Sequence, residues 1–175
     1  MSSGITIKRG ANINLRGEAE KLITEAQTSK YSALKPDNFF NLVPRLLIKE
    51  GDSVAKGSPI FRAKQDPRIL FVSPISGVVK EIRRGAKRKI LEIVIENNKD
   101  SVVKHDVKPL AKMNRVSVIE TLLKSGAWPF IIQRPYGIIA EPDVKPKSIY
   151  VSTCSTAPLD VDYEFLLKND KVEFQ

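Results

Sequence analysis

Cysteine is nearly missing from this chain: Cys154 stands alone among 175 residues. A single thiol excludes an intrachain disulfide and any multi-cysteine metal or iron–sulfur site built within the chain. Cys154 ends an apolar run and is flanked by Ser152, Thr153, Ser155 and Thr156. None of these supplies the cationic setting that activates a thiol, so Cys154 reads as a packing residue. Histidine is equally scarce. His105, beside Asp106 in a polar segment, has neither converging ligands nor a placed nucleophile, and reads as a surface residue rather than a metal or hydrolytic one. No apolar run approaches the roughly 20 residues needed to span a bilayer. The start, Met1 to Arg9, lacks the apolar region of a cleaved secretory signal. Gly-x-Gly-x-x-Gly, Walker and nucleophile-elbow motifs are absent, which leaves nucleotide binding and hydrolysis without local support. The expectation is a soluble cytoplasmic polypeptide.

Negative charge is in short supply as well. Twenty acidic residues face 29 basic ones, giving a formal charge of +9. Such a balance asks for an acidic partner. The densest cluster is Lys80-Glu81-Ile82-Arg83-Arg84-Gly85-Ala86-Lys87-Arg88-Lys89. It lies between two strand-like runs and is expected at a hairpin tip. The plain reading is a solvated turn. The functional reading is a docking contact, made by Arg83, Arg84, Lys87, Arg88 and Lys89, to a lipid surface or to a partner protein of the same assembly. Nucleic acid is not expected as a partner, because no aromatics are interleaved with these bases to stack on nucleotides.

The text changes character along the chain. Ile5 to Gly17 alternates apolar and polar residues and reads as an N-terminal strand and extended arm. Glu18 to Ser29 has moderate helical content, and Tyr31 to Pro44 reads as a loop anchored by Phe39 and Phe40. From Leu46 to Ile95 the pattern is β. Gly51-Asp52 and Gly57-Ser58 are turn dipeptides that tolerate positive φ, and Pro59 and Pro74 belong at strand edges. Ile48-Lys49-Glu50-Gly51 is faintly echoed by Val79 to Gly85, as in a small sandwich with two similar halves. Further on, Val116, Val118, Ile119, Leu122 and Leu123 predict a helix over 117–124 that Gly126 stops. Ser148 to Thr153 reads as a buried parallel strand, and Asp160 to Lys168 as the opening of a helix.

The arms Leu46 to Phe61 and Leu70 to Ile82 resemble the skeleton of a lipoyl or biotinyl domain. Such a domain carries its prosthetic lysine at a hairpin tip. The candidate here, Lys64 in Phe61-Arg62-Ala63-Lys64-Gln65-Asp66-Pro67-Arg68, lacks the Met-Lys-Met or Asp-Lys-Ala context, and its spacing to Ser73-Pro74 is too long by about two residues. Lys64 therefore reads as a loop lysine. The remaining constellation is Trp128-Pro129-Phe130-Ile131-Ile132-Gln133-Arg134-Pro135-Tyr136. Apolar walls with a few fixed donors suit a planar, carbonyl-bearing ligand. Trp128, Phe130 and Tyr136 are then the walls, and Arg134 the donor to a quinone oxygen. The bland alternative is a domain junction whose aromatics bury area.

Four ordered segments carry a wider resemblance. They are Ile5 to Gly10; Leu47 to Gly57; Ser73 to Val79 with Arg84 to Arg88; and Leu122-Leu123-Lys124-Ser125-Gly126-Ala127-Trp128 with Arg134-Pro135-Tyr136. Together they resemble the NqrA family, the A components of the bacterial Na+-translocating NADH:quinone reductase, over nearly the whole chain. That resemblance implies an α+β fold, a lipoyl/biotinyl-like barrel-sandwich hybrid domain followed by the start of an α/β domain. The expected divisions are an arm over 1–45, the hybrid domain over 46–104, and over 105–175 a helix, an aromatic junction and part of an α/β domain cut short. The resemblance implies a peripheral component on the cytoplasmic face of the inner membrane, with other subunits of the reductase, membrane ones included, as partners. It implies no covalent cofactor, quinone as the substrate contacted, and NADH and flavins handled by other subunits. The alternatives are a carrier or scaffold module without a prosthetic group and, further behind, a basic nucleic-acid-binding module.

Overall fold

The computed structural model describes residues 20–98, 100–105, 109, 112–152 and 160–168. The chain divides into two compact units. One is Gln27–Lys145; the other joins the two ends, Met1–Ala26 and Pro146–Gln175. The expected N-terminal strand over 5–17 and the thiol of Cys154 lie outside the described residues.

The larger unit is built on two antiparallel sheets. In the first, β1 (Tyr31–Leu34), β7 (Ile90–Asn97), β6 (Gly77–Arg84) and β3 (Ser53–Val54) lie side by side in that order. In the second the order is β2 (Pro44–Leu46), β4 (Pro59–Ala63), β5 (Leu70–Val72). Alternation along the strands sends one set of side chains inward. Ile60, Phe61 and Ala63 of β4, Phe71 of β5, Val79 of β6 and Ile90, Ile93 and Ile95 of β7 form the core. Phe61 and Phe71 stack with ring centroids 4.5 Å apart, and Phe39 meets Phe71 edge-on at 4.7 Å. Phe39 is thus the anchor expected of it, whereas Phe40 is exposed.

The turns follow the sequence signals. Gly51 (φ 88°) and Gly57 (φ 91°) take left-handed conformations, closed by Asp52 N–H donating to the Lys49 carbonyl and Ser58 N–H to that of Ala55. The two echoed segments prove to be neighbours, since Gly51 N–H donates to the Val79 carbonyl and Val79 N–H to that of Asp52.

Two local readings are corrected here. Tyr31 to Leu34 is not loop but the edge strand β1, paired in register with Glu96 to Ile93 of β7. Its own pattern is weak; the Tyr31 hydroxyl, which accepts from Lys80 Nζ at 2.8 Å and donates to Glu96 at 3.2 Å, fastens it to the sheet. Glu20 to Ser29 is irregular rather than helical, in keeping with its weak apolar stripe.

After the sheets comes α1 (Arg115–Ser125), close to the expected 117–124. A reciprocal cap starts it: Ser117 N–H donates to Asn114 Oδ1 and Asn114 N–H to Ser117 Oγ, both at 2.9 Å. Gly126 ends it in the left-handed conformation. Leu123 is buried and Ile119 and Leu122 pack on the core, but Val116, assigned to the same face, is exposed because it sits in the first turn. A 3-10 turn over Trp128–Phe130 and the hairpin β8 (Ile132–Gln133) and β9 (Ile138–Ile139) complete this unit.

In the other unit, Asp162 caps the short helix α2 (Tyr163–Leu166) and accepts from Lys21 Nζ at 2.7 Å. The strand expected over 148–153 is not formed in its described part. Residues 148–152 are irregular, and Ile149, Tyr150 and Val151 are 79, 91 and 76 % exposed. No strand pairs with them among the described residues, so their β-branched character has nothing to pack against.

Candidate functional sites

The connection from β4 to β5 is where a carrier domain would present its lysine. Lys64 is there and exposed, with its N–H donating to the Val43 carbonyl at 2.9 Å. The turn beyond it is closed rather than free. Ile69 N–H donates to the Asp66 carbonyl, and Ala63 N–H to that of Ile69. Arg68 then reaches two carboxylates at once. Its Nε and Nη2 donate to Asp66 at 3.0 and 2.6 Å, and its Nη1 and Nη2 to Asp143 at 2.9 and 2.6 Å. This fork ties the turn to the segment after β9.

That arrangement forms one wall of an open cleft of about 370 Å³. Leu42, Ile69, Ile138 and Ile139 make its apolar floor, and Asp66, Glu141 and Asp143 its acidic rim. The guanidinium holds the carboxyls of Asp66 and Asp143 below their ordinary range through these hydrogen bonds, and Arg68 is itself pushed up by Asp143 first and Asp66 second. Depressed carboxylate values stabilise the fork above about pH 3.9, the unfolded value. That contribution is lost as pH falls through the lower folded values. Carboxyl-carbon NMR titration should therefore give midpoints for Asp66 and Asp143 below that of a free aspartate. In Arg68→Ala both should return to the ordinary range; unchanged midpoints would show that the fork does not set them.

The four aromatic-segment candidates are not gathered into this cleft. Trp128 is buried, its indole N–H donating at 2.7 Å to the carbonyl of Ala140, which lines the cleft. Phe130 is 75 % exposed and touches Phe39 edge-on at 6.1 Å, continuing the aromatic row outward from the core. Arg134 and Tyr136 are exposed in the turn joining β8 to β9, closed by Gly137 N–H donating to the Gln133 carbonyl at 3.0 Å. Arg134 meets no carboxylate among the described residues.

The basic cluster occupies the hairpin tip that its spacing predicts. Three of its cations are engaged: Lys80 pairs with Glu96 at 3.9 Å, Arg83 with Glu81 and Glu92, and Lys89 with Asp37 at 2.7 Å. Arg84 donates to the Arg88 carbonyl, while Lys87 and Arg88 meet no carboxylate among the described residues. The tip turns through two successive left-handed residues, Lys87 (φ 53°) and Arg88 (φ 61°). Elsewhere His105 is exposed, and no cluster of His, Cys, Asp or Glu suited to a metal occurs among the described residues. Sequence reasoning missed the Asp66–Arg68–Asp143 fork, because its third member lies 75 residues from the arginine and no local pattern announces it.

These features define a class: a barrel-sandwich hybrid β domain of the lipoyl or biotinyl kind. Comparison with family models agrees. One described as the NqrA N-terminal barrel-sandwich hybrid domain matches residues 5–98, and one described as the NqrA second alpha/beta domain matches 113–175. The chain belongs to the NqrA family. Similar proteins, named as the A subunit of Na(+)-translocating NADH-quinone reductase, include that of Tolumonas auensis, 36% identical over 174 residues, and that of Histophilus somni (strain 2336), 33% identical over 173. Another, from Photorhabdus laumondii, is 32% identical over 173 residues. In each comparison 97% of this chain is covered, and the chain spans 39% of the relative's length. No helix among the described residues is long and apolar enough to cross a membrane.

Proposed function

We propose that this chain works as part of the NqrA component of a Na+-translocating NADH-quinone reductase, peripheral to the membrane and on the cytoplasmic face of the inner one. One observation carries the reading: two successive family matches, in order, over 5–98 and 113–175. Its partners in this reading are the other subunits of the reductase, membrane subunits among them, and its substrate contact is quinone at the terminal electron transfer coupled to Na+ transport. No covalent cofactor is assigned to it, and NADH and flavins are left to the other subunits.

The quinone contact is assigned to Trp128, Phe130, Arg134 and Tyr136, of which Trp128 is buried and the other three exposed. Exposed rings give a planar ligand apolar area, and an arginine without a carboxylate keeps its N–H donors available to a carbonyl oxygen. Docking is assigned to Arg83, Arg84, Lys87, Arg88 and Lys89 of the basic tip. A chimera carrying this chain in place of the matching part of the Tolumonas auensis protein tests the whole reading. It should restore NADH-dependent, Na+-stimulated quinone reduction to a complex lacking that protein; an assembled but inactive complex, or none, would overturn it.

The quinone assignment has its own expected result. A soluble short-chain quinone should quench Trp128 fluorescence saturably. Arg134→Ala should weaken that binding by about tenfold, the loss of one charge-assisted hydrogen bond. Equal quenching in both proteins would remove Arg134 from the contact.

A further inference from the structure

Beside the basic tip, the two sheets leave a seam. The strand β2 is the edge of one sheet, and β6, beyond its two-residue pairing with β3, is an edge of the other. Between them lies an open hollow of about 440 Å³, lined by Leu46, Ile48, Lys49, Glu50, Ile82 and Arg84. Leu46, Ile48 and Ile82 give it an aliphatic lining, and Lys49 and Arg84 its two cations. Glu50 lies against the same strand edge, its carboxylate accepting the N–H of Ile82 at 2.7 Å, so the lining carries two cations against one anion. Further positive charge adjoins through Arg84, whose guanidinium donates to the Arg88 carbonyl at 3.4 Å.

We infer that this hollow docks a short extended segment of a partner protein in which aliphatic residues are flanked by carboxylates. Charge complementarity argues for the acids: a chain of +9 presents here the side-chain cations of Lys49, Arg84, Lys87 and Arg88, none of which forms an ion pair among the described residues, the Asp52 carboxylate being taken by the Lys49 backbone N–H at 2.8 Å. The aliphatic lining calls for apolar side chains between those acids. Since Glu50 already takes the edge N–H of Ile82, strand addition gains nothing at that position and recognition falls to side chains. A bilayer, by contrast, is flat. It would meet Lys87 and Arg88 at the tip and leave the hollow behind them unfilled. The inference rests on the docking half of the function proposed above and names the chemistry that docks.

The test uses the isotope-labelled chain and a capped peptide of two central leucines with two glutamates on each side. Saturable amide shifts are expected within 46–50 and 82–88. Binding should weaken about tenfold when serines replace the leucines, and about tenfold in the double variant Lys49→Ala, Arg84→Ala, each the equivalent of 1.4 kcal/mol. Both substituted side chains are exposed, and an unchanged spectrum elsewhere checks the fold. Equal binding of the serine peptide would reduce the site to bare electrostatics and overturn the inference. So would shifts outside the hollow, no saturable shift, or binding to phosphatidylglycerol vesicles with none to the peptide. A chimera that works while the peptide fails would sink only this inference. A failed chimera with peptide binding intact would sink the wider reading alone.

Discussion

Gly77→Ala is expected to abolish cooperative folding of the β unit, or to destabilise it by more than about 3 kcal/mol. The reason is backbone rather than side-chain crowding. A Cβ on Gly77 would collide with the carbonyl oxygen of Glu96 and lie 2.8 Å from its carbonyl carbon. Neither strand can withdraw. Gly77 is held between Asn97 of β7 and Val54 of β3, and Glu96 is paired on its far side with Tyr31 of β1. A flexible side chain would yield by rotating, whereas a four-stranded ladder must break hydrogen bonds to do so. Gly51→Ala supplies the comparison. Nothing lies within 4 Å of its added Cβ, and only the left-handed φ of 88° opposes it. That change should cost about 1 kcal/mol. Urea unfolding followed by circular dichroism distinguishes the two, and a Gly77→Ala protein within about 1 kcal/mol of the parent would refute the tight strand approach.

Phe61→Ala should be the most damaging truncation in the core. Phe61 is 1 % exposed and its ring lies nearly parallel to that of Phe71, 18° between planes. Removing it takes away the transfer energy of a phenyl ring and leaves a hole between β4 and β5 that a two-sheet core fills poorly. The expected loss is about 3–5 kcal/mol. For a domain of this size that lowers Tm by roughly 15–30 °C. Phe40, outside the aromatic row and 71 % exposed, gives an internal control: Phe40→Ala should change stability by no more than about 0.5 kcal/mol. Similar Tm losses in both variants would mean that the row does not define the core.

What could be read beforehand follows the range of the interactions. The β6–β7 hairpin was legible because its strands and tip lie within 21 residues, Gly77 to Asn97, with the basic cluster between apolar runs. The helix α1 was legible through Leu122 and Leu123 and its stop at Gly126, all local signals. The Leu46 to Ile95 region showed its β character through turn dipeptides, while its fold class came from the resemblance of its two arms to a lipoyl or biotinyl domain. The strand β1 did not announce itself, because Tyr31-Ser32-Ala33-Leu34 gains its order from β7, 65 residues away at the Tyr31 and Glu96 pair. At Ser148 to Ser152 the error ran the other way: residue preference suggested a strand where no partner is paired among the described residues. The site was legible by composition only. Its aromatics and arginine could be named, but not the burial of Trp128, the separation of the other three from the cleft, or the fork from Arg68 to Asp143.

The pairing of Lys21 with Asp162 sets an order of events during synthesis. These residues stand 141 positions apart, and the intervening chain contains the whole of Gln27–Lys145. At ribosomal speeds, Lys21 emerges on the order of ten seconds before its partner exists. The β unit closes its hairpins in microseconds to milliseconds once its strands are out. Lys21 must therefore wait for Asp162, already translated, while the middle of the protein folds.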